Sequence, residues 1–106
     1  MSEMVHVIAV ITTKPGARSA VLEAFNANVP AVHAEDGCIE YTAVIDTPDI
    51  GPFQPPLGED TFMVVEKWAS LDALMAHAAA PHMKAYGAKV ADKLADRKIH
   101  ILTATS

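Results

Sequence analysis

The chain has 106 residues, of which 51% are hydrophobic and 20% are charged, and this composition argues for a compact fold and against a disordered chain. The formal net charge is −5, and the eight Lys and Arg residues form no cluster, which argues against nucleic acid or an acidic membrane as a partner. We expect one domain, residues 1–106, with a single core, and a length at which burying a further face in a homodimer adds noticeably to stability.

The cysteine count and the N-terminus bear on the compartment. Cys38 is the only cysteine, so no disulfide can form within the chain, which fits a reducing environment. The first residues have no basic region, and His6 interrupts the apolar run that follows, which argues against a signal peptide or a membrane span. We therefore expect a cytoplasmic location.

The first third of the sequence predicts a strand followed by a helix. Residues Met4 to Thr12 form a nearly continuous apolar run rich in Val and Ile, as in a central strand covered on both faces. The turn Lys14-Pro15-Gly16 ends it, and apolar residues then recur at steps of three and four from about Ala17 to Ala34. Pro30 lies inside this helical pattern, and we expect a kink or a break there.

A second strand and a long loop follow. Gly37 can take the left-handed conformation that ends a helix, and Cys38 to Asp46 has the mixed alternation of a strand with Tyr41 pointing inward. Four prolines and two glycines then predict a stiff loop from Thr47 to Asp60. A lid, an interface arm and a variable hairpin tip all remain open for this loop.

The last part of the chain predicts a strand, a split helix and a closing strand. Thr61 to Trp68 alternates as a third strand, with Glu66 and Trp68 on one face. Ser70 can cap the next helix, whose inward stripe is Leu71, Leu74, Met75 and Ala78. Pro81 starts a second helical segment that reaches about Asp96, and Ile99 to Thr103 forms a short final strand.

This order of elements predicts the fold class. Strand, helix, strand, strand, split helix and strand match an α+β, ferredoxin-like plan, with an antiparallel four-stranded sheet and the helices on one face. The opposite face of the sheet then needs cover, and a second copy of the same sheet is the simplest way to provide it.

Several segments, in order, resemble the antibiotic biosynthesis monooxygenase family, which includes the quinol monooxygenases. The matching segments are Lys14-Pro15-Gly16, Ala34-Glu35-Asp36-Gly37-Cys38, Glu40-Tyr41, Glu66-Lys67-Trp68-Ala69-Ser70, Ala76-His77 and Pro81-His82-Met83-Lys84. The resemblance implies a homodimeric α/β barrel. It also implies oxidation of a small aromatic hydroquinone or phenol by O2 with no flavin, haem or metal, because the ionised substrate supplies the electrons.

The sequence departs from this family in places. The loop from Thr47 to Asp60 is longer and richer in proline than the resemblance leads us to expect. A haem-degrading branch of the fold calls for an asparagine in the first strand and a haem-binding histidine beyond position 77, whereas Ala9 and Gly87 stand at those places. The missing axial ligand argues against haem degradation.

Two histidines and a carboxylate are the candidate catalytic residues. His77 is the first candidate because it lies beside the inward stripe and its unperturbed pKa suits proton transfer; a half-exposed helix histidine is the alternative. His82 could touch a pocket or face water. Glu66 points inward and needs either a partner or a raised pKa, and an ion pair with Lys67 or Arg97 is its structural alternative.

The candidate substrate-binding residues are aromatic. Trp68 could stack on an aromatic substrate or simply fill the core, and Tyr41 and Tyr86 could donate to a phenolate oxygen or bond a carbonyl of the fold. His77 and His82 are five positions apart across a proline, which is not the spacing that places two ligands on one helical face, so no metal site is expected.

Three functions stay open at this point. The first is a cofactor-independent monooxygenase of a quinol or related phenol, and the second is an isomerase or decarboxylase on the same barrel. The third is a non-catalytic dimer that binds a small ligand or serves in stress protection. No phosphate-binding loop, nucleophile elbow or Cys-His pairing supports nucleotide-dependent or acyl-enzyme chemistry.

Overall fold

The computed structural model describes residues 3–106, which form four strands and three α-helices. The strands are β1 (Val5–Thr13), β2 (Cys38–Val44), β3 (Thr61–Trp68) and β4 (Leu94–Leu102). The helices are α1 (Arg18–His33), α2 (Leu71–Ala78) and α3 (Pro81–Val90), with short 3-10 turns at Gly51–Phe53 and Ala91–Lys93. No helix within residues 3–106 is both long and apolar enough to cross a membrane.

The four strands form one antiparallel sheet in the order β2-β3-β1-β4. β1 lies in the centre and pairs along its length with β3, from Val5 opposite Trp68 to Thr12 opposite Thr61. Buried and partly exposed residues alternate along both strands, because the helices cover only one face of the sheet. The predicted α+β, ferredoxin-like fold is confirmed.

Of the kink or break predicted at Pro30, the break does not occur, because α1 runs without interruption through that residue. Pro30 lies in the last turn of the helix, where the missing amide deprives only the carbonyl of Asn26 of a partner, and Asn26 is exposed to water. The Pro30 carbonyl still accepts a hydrogen bond of 3.2 Å from the amide of Ala34. The helix therefore tolerates the proline at low cost.

The two short helices confirm the predicted split at Pro81. The Ser70 hydroxyl accepts a hydrogen bond of 3.1 Å from the amide of Ala73, which caps α2 as expected. The inward stripe of α2 differs from the prediction, however: Leu71 and Met75 are about half exposed, whereas Leu74 and His77 are buried. The helix is therefore rotated so that His77 faces the sheet.

The predicted boundary between the last helix and the last strand is wrong. α3 ends at Val90 instead of reaching Asp96, and β4 begins at Leu94 instead of Ile99. β4 pairs with β1 from His6 to Thr13, so the hydrogen bonds of this ladder outweigh the helical spacing of the apolar residues. The polar residues that follow Leu94 are tolerated because β4 is an edge strand.

The loop between β2 and β3 is held by one carboxylate. β2 ends at Val44, two residues short of the predicted Asp46, and the side chain of Asp46 accepts hydrogen bonds of 3.0 Å from the amides of Leu57 and Gly58. Phe53, in the middle of the loop, is 90% exposed. This loop therefore lies away from the core.

Candidate functional site

A cavity of about 600 Å³ lies between the sheet and the helices. Its size falls within the range of small-molecule sites, roughly 300–1,000 Å³. Most of its wall is apolar and comes from the covered face of the sheet and from all three helices. The polar and charged side chains in the wall are Tyr41, Glu66, His77, Lys84, Tyr86 and Arg97.

His77 presents a buried imidazole to this cavity. The residue is 5% exposed, and its Nδ1 lies 2.7 Å from Oε2 of Glu35, in the turn between α1 and β2. The ring lies against two aromatic side chains, with centroid distances of 5.3 Å to Tyr41 and 4.6 Å to Trp68. His77 is thus a fixed group of the wall and not the half-exposed helix histidine of the alternative interpretation.

Trp68 is fully buried beside His77 and does not line the cavity. Its Nε1 donates a hydrogen bond of 2.9 Å to Oε1 of Glu66, which does line the cavity. In this position the indole fills the core and holds a carboxylate, so it offers no stacking surface to a ligand in the cavity.

Glu66 is a buried carboxylate with a perturbed pKa. Burial raises the pKa of its carboxyl above the ordinary value, the hydrogen bond from Trp68 and the charge of His77 oppose this rise, and the charge of Glu35 adds to it. The predicted ion pair with Lys67 or Arg97 is wrong. Lys67 lies on the opposite face of β3, where its Nζ pairs with the Glu40 carboxylate at 3.2 Å.

Tyr41 and Tyr86 both contribute to the cavity wall. They contact the same ring of Phe25, which is stacked on Tyr41 at 5.0 Å and meets Tyr86 edge-on at 6.1 Å. Burial raises the pKa of both phenols, although Arg97 opposes the rise at Tyr86. Both hydroxyls therefore keep their protons at neutral pH and can donate hydrogen bonds.

His82 lies outside the cavity wall, on the other side of Glu35. Its Nδ1 is 3.1 Å from Nδ2 of Asn28, and its Nε2 is 3.6 Å from the same Oε2 of Glu35 that contacts His77. Within residues 3–106, no group of three or more His, Cys, Asp or Glu side chains is arranged to hold a metal ion. Glu35 is therefore hydrogen-bonded to His77 and lies close to His82 without bonding it.

Glu35 is the residue of this site that sequence reasoning missed. In the sequence, Glu35 stands out only as part of the segment from Ala34 to Cys38 that resembles the family. Its partner His77 is 42 positions away. No local spacing rule connects them, because the contact forms only when the turn after α1 packs against α2. A carboxylate that follows a helix end was the only signal, and it is a weak one.

The fold agrees with comparisons to known proteins. Residues 4–89 match the family model for antibiotic biosynthesis monooxygenase. A protein of Escherichia coli K12, named "Probable quinol monooxygenase YgiN", is 40% identical over 101 residues, which cover 93% of this chain and 96% of the relative. The relative of the same name from Shigella flexneri matches equally well. The chain therefore belongs to the antibiotic biosynthesis monooxygenase family.

Solved structures agree with this assignment. PA3566 from Pseudomonas aeruginosa is 27% identical with a TM-score of 0.82, and the match covers 100% of this chain and 98% of that one. Rv0793 from Mycobacterium tuberculosis is also 27% identical, with a TM-score of 0.80 and coverage of 98% and 97%. Family and relatives together support monooxygenase as the class of activity.

Proposed function

We propose that the protein is a cofactor-independent monooxygenase that oxidises a quinol or a related phenolic compound with O2. The observation that carries this proposal is the placement of His77, a fixed imidazole in the wall of a mostly apolar cavity. A flat aromatic compound fits such a cavity, and a single base is what its hydroxyl group needs. The family and the E. coli relative favour the same chemistry.

His77 would act as the general base. Its Nδ1 is engaged by Glu35, which leaves Nε2 as the nitrogen that can accept the hydroxyl proton of the substrate. The resulting quinolate is electron-rich and reacts with O2 directly, forming a carbon–oxygen bond and, after proton uptake, a hydroperoxide. Loss of the proton on that carbon and cleavage of the O–O bond then give a carbonyl group and water.

The electrons balance without a cofactor. Conversion of a quinol to a hydroxyquinone releases four electrons, which is the number that O2 needs to supply one oxygen atom to the product and one to water. No flavin, metal or nicotinamide is therefore required as an electron carrier, and the protein has only to bind, orient and deprotonate. The apolar wall excludes water from the reactive anion.

The other polar groups of the site would assist. Tyr41 and Tyr86 keep their protons, so they can donate to a developing oxyanion of the substrate. Glu66 is a candidate for the second proton transfer, since burial raises the pKa of its carboxyl. Trp68 would bind substrate only indirectly, by fixing Glu66, and His82 would act through Glu35.

A homodimer would cover apolar surface that a single chain leaves exposed. The face of the sheet opposite the helices carries partly exposed apolar side chains from its two central strands, among them Ile8, Val10, Met63 and Val65. On the helical side, Ile99 and Ile101 of the edge strand line the cavity but are about half exposed. A second copy packed sheet to sheet would cover the first surface and protect this edge.

The test is oxygen consumption by purified, metal-free protein with a panel of benzene-, naphthalene- and anthracene-derived quinols. We expect O2 uptake without added cofactor and one atom of ¹⁸O from labelled O2 in the hydroxyquinone. His77→Gln should lower kcat by about 10²–10⁴-fold, the usual contribution of a general base. Asp36→Asn, an exposed acidic residue next to Glu35, is the control. Absence of O2 uptake with the whole panel would overturn the proposal.

A further inference from the structure

We propose that Glu35 is the positioning residue of the site: it fixes His77 in the tautomer that exposes a basic nitrogen to the cavity, and the ring of His82 lies on the other side of the same carboxylate, beyond hydrogen-bond distance. The inference rests on the proposed role of His77 as the base. It assigns functions to two residues that lie outside the cavity wall. Glu35 does not line the cavity, so we assign it a role that it exerts through His77.

The first step of the argument is the tautomer of His77. An ionised carboxylate only accepts hydrogen bonds, so a contact of 2.7 Å between Oε2 of Glu35 and Nδ1 of His77 requires the proton on Nδ1. In the neutral imidazole the lone pair then lies on Nε2. The carboxylate also stabilises the imidazolium that forms when Nε2 takes a proton from the substrate.

The second step is the arrangement of His82. The amide nitrogen of Asn28 is a donor, so Nδ1 of His82, at 3.1 Å, accepts its hydrogen bond and the ring proton is on Nε2. This Nε2–H faces Oε2 of Glu35 at 3.6 Å, which is beyond hydrogen-bond distance, and within residues 3–106 this buried nitrogen has no hydrogen-bond partner. One imidazole thus donates to Oε2 of Glu35, and the second directs its N–H towards the same oxygen without a hydrogen bond.

The third step concerns the elements that hold the cluster. Asn28 lies in α1, Glu35 in the turn after it, His77 in α2 and His82 in α3. Four separate segments must therefore pack correctly before the tautomer of His77 is fixed. The side chains of Glu35 and His82 are only 18% and 28% exposed, so water competes weakly for the carboxylate. This is the arrangement expected of a group that supports a catalytic base.

The experiment combines side-chain NMR with kinetics. Long-range ¹H–¹⁵N spectra of the full-length protein should show His77 as the Nδ1–H tautomer, and Glu35→Gln should abolish that pattern. With a quinol that the wild type oxidises, Glu35→Gln should lower kcat by about 10²–10⁴-fold with little change in KM, as for other carboxylates behind a catalytic histidine. His82→Gln should keep the tautomer and lower kcat by about tenfold.

Asp36→Asn is the matched control, since it removes an equal charge one residue away at an exposed position, and it should change neither readout. The tautomer of the wild-type protein tests the proposal even if a variant does not fold or no quinol is oxidised. An Nε2–H tautomer at His77 in the wild type would overturn the proposal. A Glu35→Gln variant that keeps both the Nδ1–H tautomer of His77 and the wild-type kcat would overturn it too. An unchanged kcat in His82→Gln would show that His82 has no part in the proposed arrangement.

Discussion

The indole Nε1 of Trp68 donates a hydrogen bond of 2.9 Å to Oε1 of Glu66, two positions earlier on the same strand. Both side chains point to the covered face of the sheet, since residues two apart in a strand face the same way, but only Glu66 reaches the cavity. The indole of Trp68 therefore provides the hydrogen bond that a buried carboxylate needs. Because of this bond, the stability of the protein and the pKa of the Glu66 carboxyl depend on each other.

Replacing Trp68 by Phe should destabilise the protein by about 2–4 kcal/mol, because it leaves a small void and removes the donor of a buried acceptor. Urea unfolding followed by circular dichroism measures this change. In a Glu66→Gln background the same substitution should cost about 1 kcal/mol less, since a neutral acceptor loses less than a charged one. Equal costs in both backgrounds would show that the charge of the Glu66 carboxylate adds nothing to the strength of this hydrogen bond.

Glu66→Gln should stabilise the protein at neutral pH. Burial raises the pKa of the folded-state carboxyl above 4.5, so protonation of Glu66 contributes stability that is fully present below 4.5 and is lost as the pH rises through the folded-state pKa. Glutamine does not titrate. The difference in Tm between variant and wild type should therefore grow as the pH rises above 4.5 and then level off.

Thermal melts between about pH 4 and about pH 8 check this prediction. Glu40→Gln is the control, because this carboxylate lies on the other face of the sheet in a half-exposed pair with Lys67 and should shift stability by no more than about 1 kcal/mol. A Glu66→Gln variant that loses stability as the pH rises, relative to wild type, would contradict the assigned sign.

Local signals in the sequence correctly predicted the elements whose ends are marked by prolines, capping residues or loop residues. β3 has the predicted limits because its alternation is regular and loop residues flank it. Pro81 begins α3 as expected, since a proline is well suited to the first turn of a helix and Ser70 supplies a cap for the preceding one. These features depend on residues a few positions apart.

The features that the sequence did not predict depend on contacts between segments that are far apart in the chain. The segment from Ala91 to Asp96 has helical spacing, yet pairing with β1 draws its second half into a strand. The contact of Glu35 with His77 likewise depends on packing between elements that are far apart in the chain. The position of His77 in the cavity wall could therefore be anticipated from its place beside the apolar stripe, whereas its contact with Glu35 could not.

Ala9 sets the depth of the cavity at the centre of the sheet, where it is buried in the wall. Ala9→Leu should raise KM for quinols of two or three rings by about 10–100-fold, and should affect single-ring quinols less, because the added carbon atoms occupy space in the cavity. Steady-state kinetics with the panel measures the difference. Ala85→Leu, on the exposed side of α3, is the control and should leave KM unchanged.

Gly37 allows the turn that carries Glu35 to approach α2. It has a positive φ of 83°, and a Cβ at this position would lie 2.6 Å from the Cβ of Ala73. Gly37→Ala should therefore cost about 2–4 kcal/mol, through backbone strain plus the clash, and should lower kcat by moving His77 away from Glu35.

Gly58→Ala is the matched control for Gly37→Ala. It also has a positive φ, of 100°, but its added Cβ would meet no atom within 4 Å, so only the backbone strain of about 1 kcal/mol applies. Urea unfolding of both variants separates the two contributions. Equal losses of stability would mean that the approach of Gly37 to α2 is not tight.

Val65, on the face of the sheet opposite the helices, tests the proposed homodimer. Wild-type protein should sediment at twice the chain mass of 11.3 kDa, and Val65→Asp should weaken association by about 100-fold or more, since the interface would bury an unpaired charge. Ala88→Asp, exposed on α3, should leave association unchanged.

A wild-type chain that stays monomeric at all concentrations would contradict the dimer. A monomeric Val65→Asp variant with full kcat would show that each chain holds a complete site.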